Sequence, residues 1–201
     1  MKLIFYIALL CAWVYFLHLF TKAHLYFWKF LIGALGLFCM IVIFLFPILT
    51  DPLSKSVAAL AGIFGNFTDW CSTYFRYGII FIKTQTDTLS LMIDMECSGI
   101  IEISAFLSLL CFFDVYTNYE KVVVGICGFL WIEIANVLRI ILIVIIVHYF
   151  GLSAYYIAHT FIGRIFFYLC SIVLYFYVFT KPQIIRMKVG NIVYGHNKPN
   201  A

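Results

Sequence analysis

Residues 122–147 read VVVGICGFLWIEIANVLRIILIVIIV, and this stretch decides the class of fold. It is longer than the roughly 20 apolar residues that a helix needs to cross a bilayer. Its polar side chains are Glu133, Asn136 and Arg139. The stretch therefore predicts a membrane-spanning helix that carries charged groups at depth.

The composition of the whole chain agrees with a membrane protein. Of its 201 residues, 65% are hydrophobic and 11% are charged, and the mean hydropathy is +1.07. A soluble domain has about 45–50% apolar and about 25% charged residues. A globule of this size could not hide such an excess in its core, so a soluble domain is excluded. The 13 scattered Lys and Arg form no basic stripe, which argues against nucleic-acid binding.

Four further apolar stretches are long enough to span a bilayer. They are residues 3–20, 30–49, 97–113 and 157–179. We therefore predict an all-α, polytopic transmembrane helix bundle of five spans, or of six if residues 57–80 also cross. The seven Cys contain no CxxC pair, and the sequence predicts no disulfide framework.

The long connection at residues 50–96 differs from the predicted spans in its residue pattern. Asp51-Pro52 predicts the end of the second helix, because the residue before a proline disfavours the helical conformation. Residues 57–67 suit an interfacial or re-entrant helix. Residues 78–94 alternate in part around the polar TQTD, which predicts a short hairpin outside the bilayer.

The loop charges predict the orientation. Cations are concentrated after the last span, at Lys181, Arg186, Lys188 and Lys198, which places the C-terminus in the cytoplasm. Counting back puts 148–156 and 50–96 outside and 114–121 inside. The orientation of the N-terminus depends on whether there are five or six spans. We predict one integral membrane domain, 1–180, and a basic cytoplasmic tail, 181–201.

Arg139 is the most informative polar residue, because charged side chains inside a membrane are costly. It lies roughly 13 Å below the outer end of its helix, nine residues before His148. A guanidinium keeps its proton there and needs an anion, a carbonyl or water. The structural alternative is an ion pair with Glu133 or Glu102.

Cys97 and His159 begin the third and fifth spans at the same membrane level, and the alternating topology puts both in the outer half of the bilayer with Arg139. Each residue also has a non-catalytic interpretation, since Cys is often an inert apolar residue and His often bonds a carbonyl at the membrane interface. A helix N-terminus favours the thiolate form of Cys97. Together the three side chains predict thiol acyl transfer, with a thiolate nucleophile, a His proton shuttle and a cation for the oxyanion.

The motifs ECSGI, NVLRI and HTFIG, at residues 96–100, 136–140 and 159–163, resemble the signature of the exosortase/archaeosortase family. The match covers residues 94–165, the predicted catalytic part. Length and the Glu-Cys lead are similar to the small Gram-positive exosortase G type. This family consists of polytopic membrane cysteine transpeptidases.

The resemblance implies a protease and transpeptidase in the plasma membrane, with its site on the extracytoplasmic side. It would cleave the C-terminal sorting signal of exported, membrane-anchored proteins through a thioacyl-enzyme, and transfer them to an acceptor (lipid, glycan or water). Cys97 would be the nucleophile, His159 the general acid/base, and Arg139 the stabiliser of the thiolate or oxyanion. The supporting or substrate-binding residues would be Glu96, Ser98, Asn136 and Arg164, with Arg164 in reserve for the position of His159. We expect no metal and no cofactor.

Other classes of membrane protein remain to be weighed. A non-enzymatic transporter or assembly subunit would use the polar residues to line a path or to pair with one another, and would tolerate loss of the Cys97 thiol. A metalloprotease is disfavoured because the sequence has no HExxH. Intramembrane aspartyl proteolysis would need two buried Asp, but the Asp residues before the third span lie in the outer connection.

Overall fold

The computed structural model describes residues 2–84, 88–93 and 97–185. These residues form a helical bundle with one small sheet, which confirms the predicted fold class. The helices are α1 (Lys2–Lys22), α2 (Tyr26–Phe44), α3 (Phe46–Thr68), α4 (Ile100–Phe112), α5 (Asn118–Phe150) and α6 (Leu152–Ile185). The strands are β1 (Cys71–Tyr74), β2 (Ile79–Lys83) and β3 (Thr88–Met92).

Three of these helices, α2, α5 and α6, are long and apolar enough to cross a membrane. Two shorter apolar helices, Leu9–Lys22 and Ile100–Phe112, coincide with the first and third predicted spans. The choice between five and six spans stays a prediction, and most of the tail, from residue 186, lies outside the described residues.

The predicted helix end at Asp51-Pro52 is wrong. α2 ends at Phe44, and Pro52 lies inside α3. A proline inside a helix removes one backbone hydrogen bond. Beside it, Ser54 Oγ donates to Asp51 O at 3.1 Å and the Lys55 ammonium pairs with the Asp51 carboxylate at 3.0 Å. The helix continues past the proline to bury Val57, Ala58 and Ala61 in the core. The segment expected to be a separate interfacial helix is the second half of α3.

The predicted hairpin is present as β2 and β3, and a third strand extends it. The sheet is antiparallel in the order β1-β2-β3, with Ile80 opposite Leu91 and Ile82 opposite Leu89. Alternation gives the sheet one buried face, on which Ile80, Ile82 and Leu91 lie. β1 was missed because its four residues, CSTY, are too short and polar to show a strand pattern.

Close contacts fix the sheet to the helices. Gly62 and Gly65 let β1 approach α3, because a Cβ at either position would collide with Thr73 Oγ1 or with the backbone of Cys71. On the other side, His148 Nδ1 donates to Lys83 O at 2.6 Å, and its ring stacks on Trp70 with centroids 4.8 Å apart. His148, expected to be merely interfacial, thus joins the end of α5 to the sheet.

Two buried clusters share α5. One joins the sheet, α3 and α5, and its members include Ile80, Leu91, Ile143 and the thiol-bearing Cys97. The other joins α4, α5 and α6 around Phe106, Ile132 and Phe167. Cys97 therefore lies where the sheet cluster meets the start of α4.

Candidate active site

α5 contributes Asn136 and Arg139, which lie one turn apart. Positions i and i+3 share a helix face, so both side chains point the same way. Asn136 is 1% exposed and Arg139 is 3% exposed. α5 starts at a capping box, in which Thr117 Oγ1 accepts from the backbone N–H of Glu120 and the Glu120 carboxylate accepts from that of Thr117. This start fixes the helix at its first turn.

A tight turn before α4 presents Cys97. Gly99 caps α4 with φ 72°, a left-handed conformation that favours glycine. Asn136 Nδ2 donates to Cys97 O at 2.6 Å, and a Cβ on Gly99 would lie 3.3 Å from that same nitrogen. Glycine is therefore required both for the turn and for its approach to Asn136. Ser98 is fully buried within the turn.

His159 lies in a π-helical turn, Ala158–Ile162, near the start of α6. Such a turn inserts an extra residue into the helix and often occurs at functional sites. Tyr155 stacks on the His159 ring, with centroids 5.5 Å apart and planes inclined by 25°. Gly163 closes the turn, where a Cβ would lie 3.2 Å from Ile143 Cδ1 and 3.3 Å from Arg139 Cγ. Glycine here lets α6 pass close to Arg139.

The three predicted side chains meet at the Cys97 thiol. His159 Nε2 lies 3.2 Å from Cys97 Sγ, and Arg139 Nη2 lies 3.6 Å from the same sulfur. Cys97 is 2% exposed, so these contacts are shielded from bulk solvent. A base within hydrogen-bond reach of a thiol, with a permanent cation beside the sulfur, is suited to nucleophilic catalysis.

The contacts of Arg139 test the alternative in which it is only the partner of a buried carboxylate in a structural ion pair. Its guanidinium carbon lies 5.9 Å from the centroid of the Phe167 ring, within cation–π range. Glu133, one of the two partners expected in that alternative, accepts instead from Ser56 Oγ at 3.3 Å. Glu102, the other partner expected in that alternative, interacts electrostatically with Arg139. The guanidinium therefore contacts the Cys97 thiol while it is also within electrostatic reach of the Glu102 carboxylate.

The remaining predicted residues are less central. Arg164 is half-buried on α6, five residues beyond His159. Glu96 lies outside the described residues. Within the described ranges, no three His, Cys, Asp or Glu side chains come together as a metal site would require.

Cys71 is a second buried thiol, in the sheet and outside the five predicted spans. Burial raises the pKa of the Cys71 thiol, an effect that the positive charge of Lys83 lessens. Sequence reasoning also missed Tyr155 and Phe167, which support the site through ring contacts. The sequence spacing of one helical turn between Tyr155 and His159 could have indicated the contact of Tyr155 with the site.

A family model described as transmembrane exosortase matches residues 1–176 of the chain. The match includes the motifs at residues 96–163 and also α1–α3, which the motif resemblance did not reach. No curated protein and no solved structure matches the chain.

Proposed function

The chain belongs to the transmembrane exosortase family, and on this premise we propose that it is a cysteine protease and transpeptidase that cleaves C-terminal sorting signals. Family membership supports a membrane-embedded transpeptidase. The finer proposal assigns the chemistry to Cys97, His159 and Arg139. Its substrates are exported proteins held in the membrane by a C-terminal helix.

The convergence on the Cys97 sulfur is the observation that carries this assignment. A thiol buried among apolar residues ordinarily stays protonated and inert. Here a histidine nitrogen lies at 3.2 Å and a guanidinium nitrogen at 3.6 Å from the sulfur. A purely structural cysteine would need neither group, and burying a guanidinium is costly.

Acylation uses these groups in order. His159 Nε2 takes the thiol proton as Sγ attacks the carbonyl carbon of the scissile peptide bond. Arg139 stabilises the negative charge that forms on the carbonyl oxygen. The C–N bond then breaks, and His159 gives its proton to the leaving amine. A thioester on Cys97 and a free C-terminal fragment result.

Transfer to the acceptor reverses these roles. His159 takes a proton from the acceptor's hydroxyl or amine, which attacks the thioester carbonyl. Sulfur leaves and recovers the proton, so the enzyme returns to its starting state. Asn136 holds the Cys97 carbonyl, which fixes the turn that aims the sulfur. We propose that this chemistry takes place on the extracytoplasmic side, as the distribution of loop cations indicates.

The decisive experiment compares the exported proteins of cells that produce the wild-type chain with those of cells that produce Cys97→Ala. Mass spectrometry of C-terminal peptides would find proteins that retain a C-terminal membrane helix only in the variant. Cys170→Ala is the matched control, because Cys170 is a half-buried thiol in α6. We expect uncleaved precursors in Cys97→Ala and none in the control.

The same comparison tests the transporter or assembly alternative. A protein of that kind would tolerate loss of the thiol, so Cys97→Ala cells would show no uncleaved precursors. That result would reject the proposed enzyme.

A further inference from the structure

The hydrogen-bonding direction of β3 follows from its register. Ile93 N donates to Gly78 O at 2.8 Å, one step beyond the pair formed by Ile79 and Met92. In an antiparallel pair, bonded and non-bonded positions alternate. Leu89 and Leu91 therefore direct their backbone groups toward β2. Thr88, Ser90 and Met92 direct theirs away from the sheet.

This outward edge of β3 is uncovered in the described part of the chain. Along its length β3 packs against β2, whereas β1, at the opposite edge, is packed against α3. Natural edge strands are usually protected by Lys, Pro, a bulge or a covering segment. The sequence of β3, TLSLM, contains neither Lys nor Pro. An uncovered edge of this kind is a template for another extended strand.

The outer edge of β3 extends from the end of α5 toward Cys97, the candidate nucleophile. At one end, Thr88 is paired with Lys83, which His148 holds at the end of α5. At the other end, Met92 precedes Cys97 by five residues, a span of at most about 18 Å. Leu91, Ile93 and Cys97 also belong to one buried cluster. β3 thus runs from the end of α5 toward the thiol.

We infer that the outer edge of β3 is the peptide-binding subsite of this enzyme. The substrate segment on the amino side of the scissile bond binds there as a fourth strand. Its backbone bonds to the outward groups of Ser90 and Met92, and this directs the scissile carbonyl to Cys97. The inference rests on the proposed function, since it assigns the recognition step of the same site.

The first test removes one outward donor. Ser90→Pro deletes the N–H that faces the substrate, and proline is tolerated on an edge where the N–H does not bond within the sheet. Ser90→Ala keeps the N–H and is the matched comparison. The readout is the rate at which the precursors found in Cys97→Ala cells are processed. We expect Ser90→Pro to be slower than Ser90→Ala by about five- to tenfold, the effect of one lost hydrogen bond. Equal rates would overturn the inference.

Alkylation of Cys97 by iodoacetamide reports whether the site stays intact, because so small a reagent needs no strand pairing. The rate should be the same in Ser90→Pro and Ser90→Ala. If Ser90→Pro loses alkylation as well, the substitution has disturbed the site and a second test decides.

The second test uses p-benzoylphenylalanine in place of Thr88, or of Ser72 on β1, in the Cys97→Ala chain. Light should crosslink the accumulated precursor to position 88 and not to position 72. Crosslinking from neither position, from both equally, or only to a second copy of the chain would overturn the inference. If Cys97→Ala accumulates no precursor, the proposed function itself has failed, which is a different result from precursors that accumulate but do not crosslink.

Discussion

Replacement of Arg139 by methionine separates its chemical role from a structural one. The guanidinium nitrogen lies 3.6 Å from the Cys97 sulfur. At an effective dielectric constant of about 20, a unit charge at that distance from an anion contributes about 5 kcal/mol. Removing a single oxyanion donor from an enzyme typically costs about 3–4 kcal/mol. We therefore expect Arg139→Met to slow processing by about 10²- to 10³-fold.

The same substitution should leave the fold intact or more stable. Arg139 is 3% exposed, and methionine has a similar length without the cost of burying a charge. Arg139→Lys keeps the charge but loses the planar fork, so it should retain only part of the activity. Processing can be followed by pulse-chase of a precursor, and stability by thermal unfolding in detergent.

The outcome that contradicts this reasoning is specific. If Arg139→Met processes precursors within about threefold of the wild-type rate, the guanidinium does not stabilise the transition state. If Arg139→Met instead unfolds at a much lower temperature, Arg139 is a structural residue and the loss of activity is secondary. Only loss of rate with an intact fold supports the proposed role.

Three further perturbations test other parts of the molecule. Gly163→Ala should lower both the rate of precursor processing and the rate of Cys97 alkylation. The added Cβ would lie 3.3 Å from Arg139 Cγ, and overpacking of this kind costs about 1–3 kcal/mol. If both rates stayed at the wild-type value, the close approach of α6 to α5 would be contradicted. At neutral pH, iodoacetamide should modify Cys97 before Cys71. Burial raises the pKa of the Cys71 thiol, so Cys71 should react only as the pH rises above the usual thiol range. Mass spectrometry of the alkylated protein across pH measures this, and equal reaction of the two thiols at pH 7 would refute it. His148→Phe should keep the stacking on Trp70 but lose the hydrogen bond to Lys83 O. The loss should weaken the sheet by about 1 kcal/mol, which hydrogen exchange of the β2 amides would detect. Unchanged exchange would contradict the role of His148 in joining α5 to the sheet.

The sequence predicted the features that depend on composition and on chain order. Long apolar stretches predicted apolar helices, because the bilayer imposes a minimum length, and α2, α5 and α6 are long enough to cross it. Alternating topology predicted that Cys97, Arg139 and His159 lie in the same half of the bilayer, and the structure brings the three side chains together. These predictions need no knowledge of how the helices turn about their axes.

Features that depend on packing were beyond sequence reasoning. The break predicted at Pro52 was wrong because packing overrides the local preference: Val57, Ala58 and Ala61, later in α3, are buried in the cluster that joins the sheet and α5. The strand β1 has almost no pattern of its own and exists through its pairing with β2 and its contact with α3. The π-helical turn at His159 leaves no mark in the residue types, and the close approach of Gly163 to Arg139 beside it appears only once the helices are packed.

If the chain is the protease that we propose, the sheet beside Cys97 has a physical reason in the chemistry of peptide cleavage within a membrane protein. A helical segment satisfies its own backbone groups and hides its peptide bonds from attack, so the stretch to be cut must be extended. An extended segment has unpaired N–H and C=O groups, and each costs several kcal/mol in a nonpolar setting. A helix surface offers no partners for these groups, whereas a strand edge offers a row of them. In the proposed enzyme, α5 and α6 supply Arg139 and His159, the turn before α4 supplies Cys97, and the edge of β3 would supply the partners that an extended substrate requires.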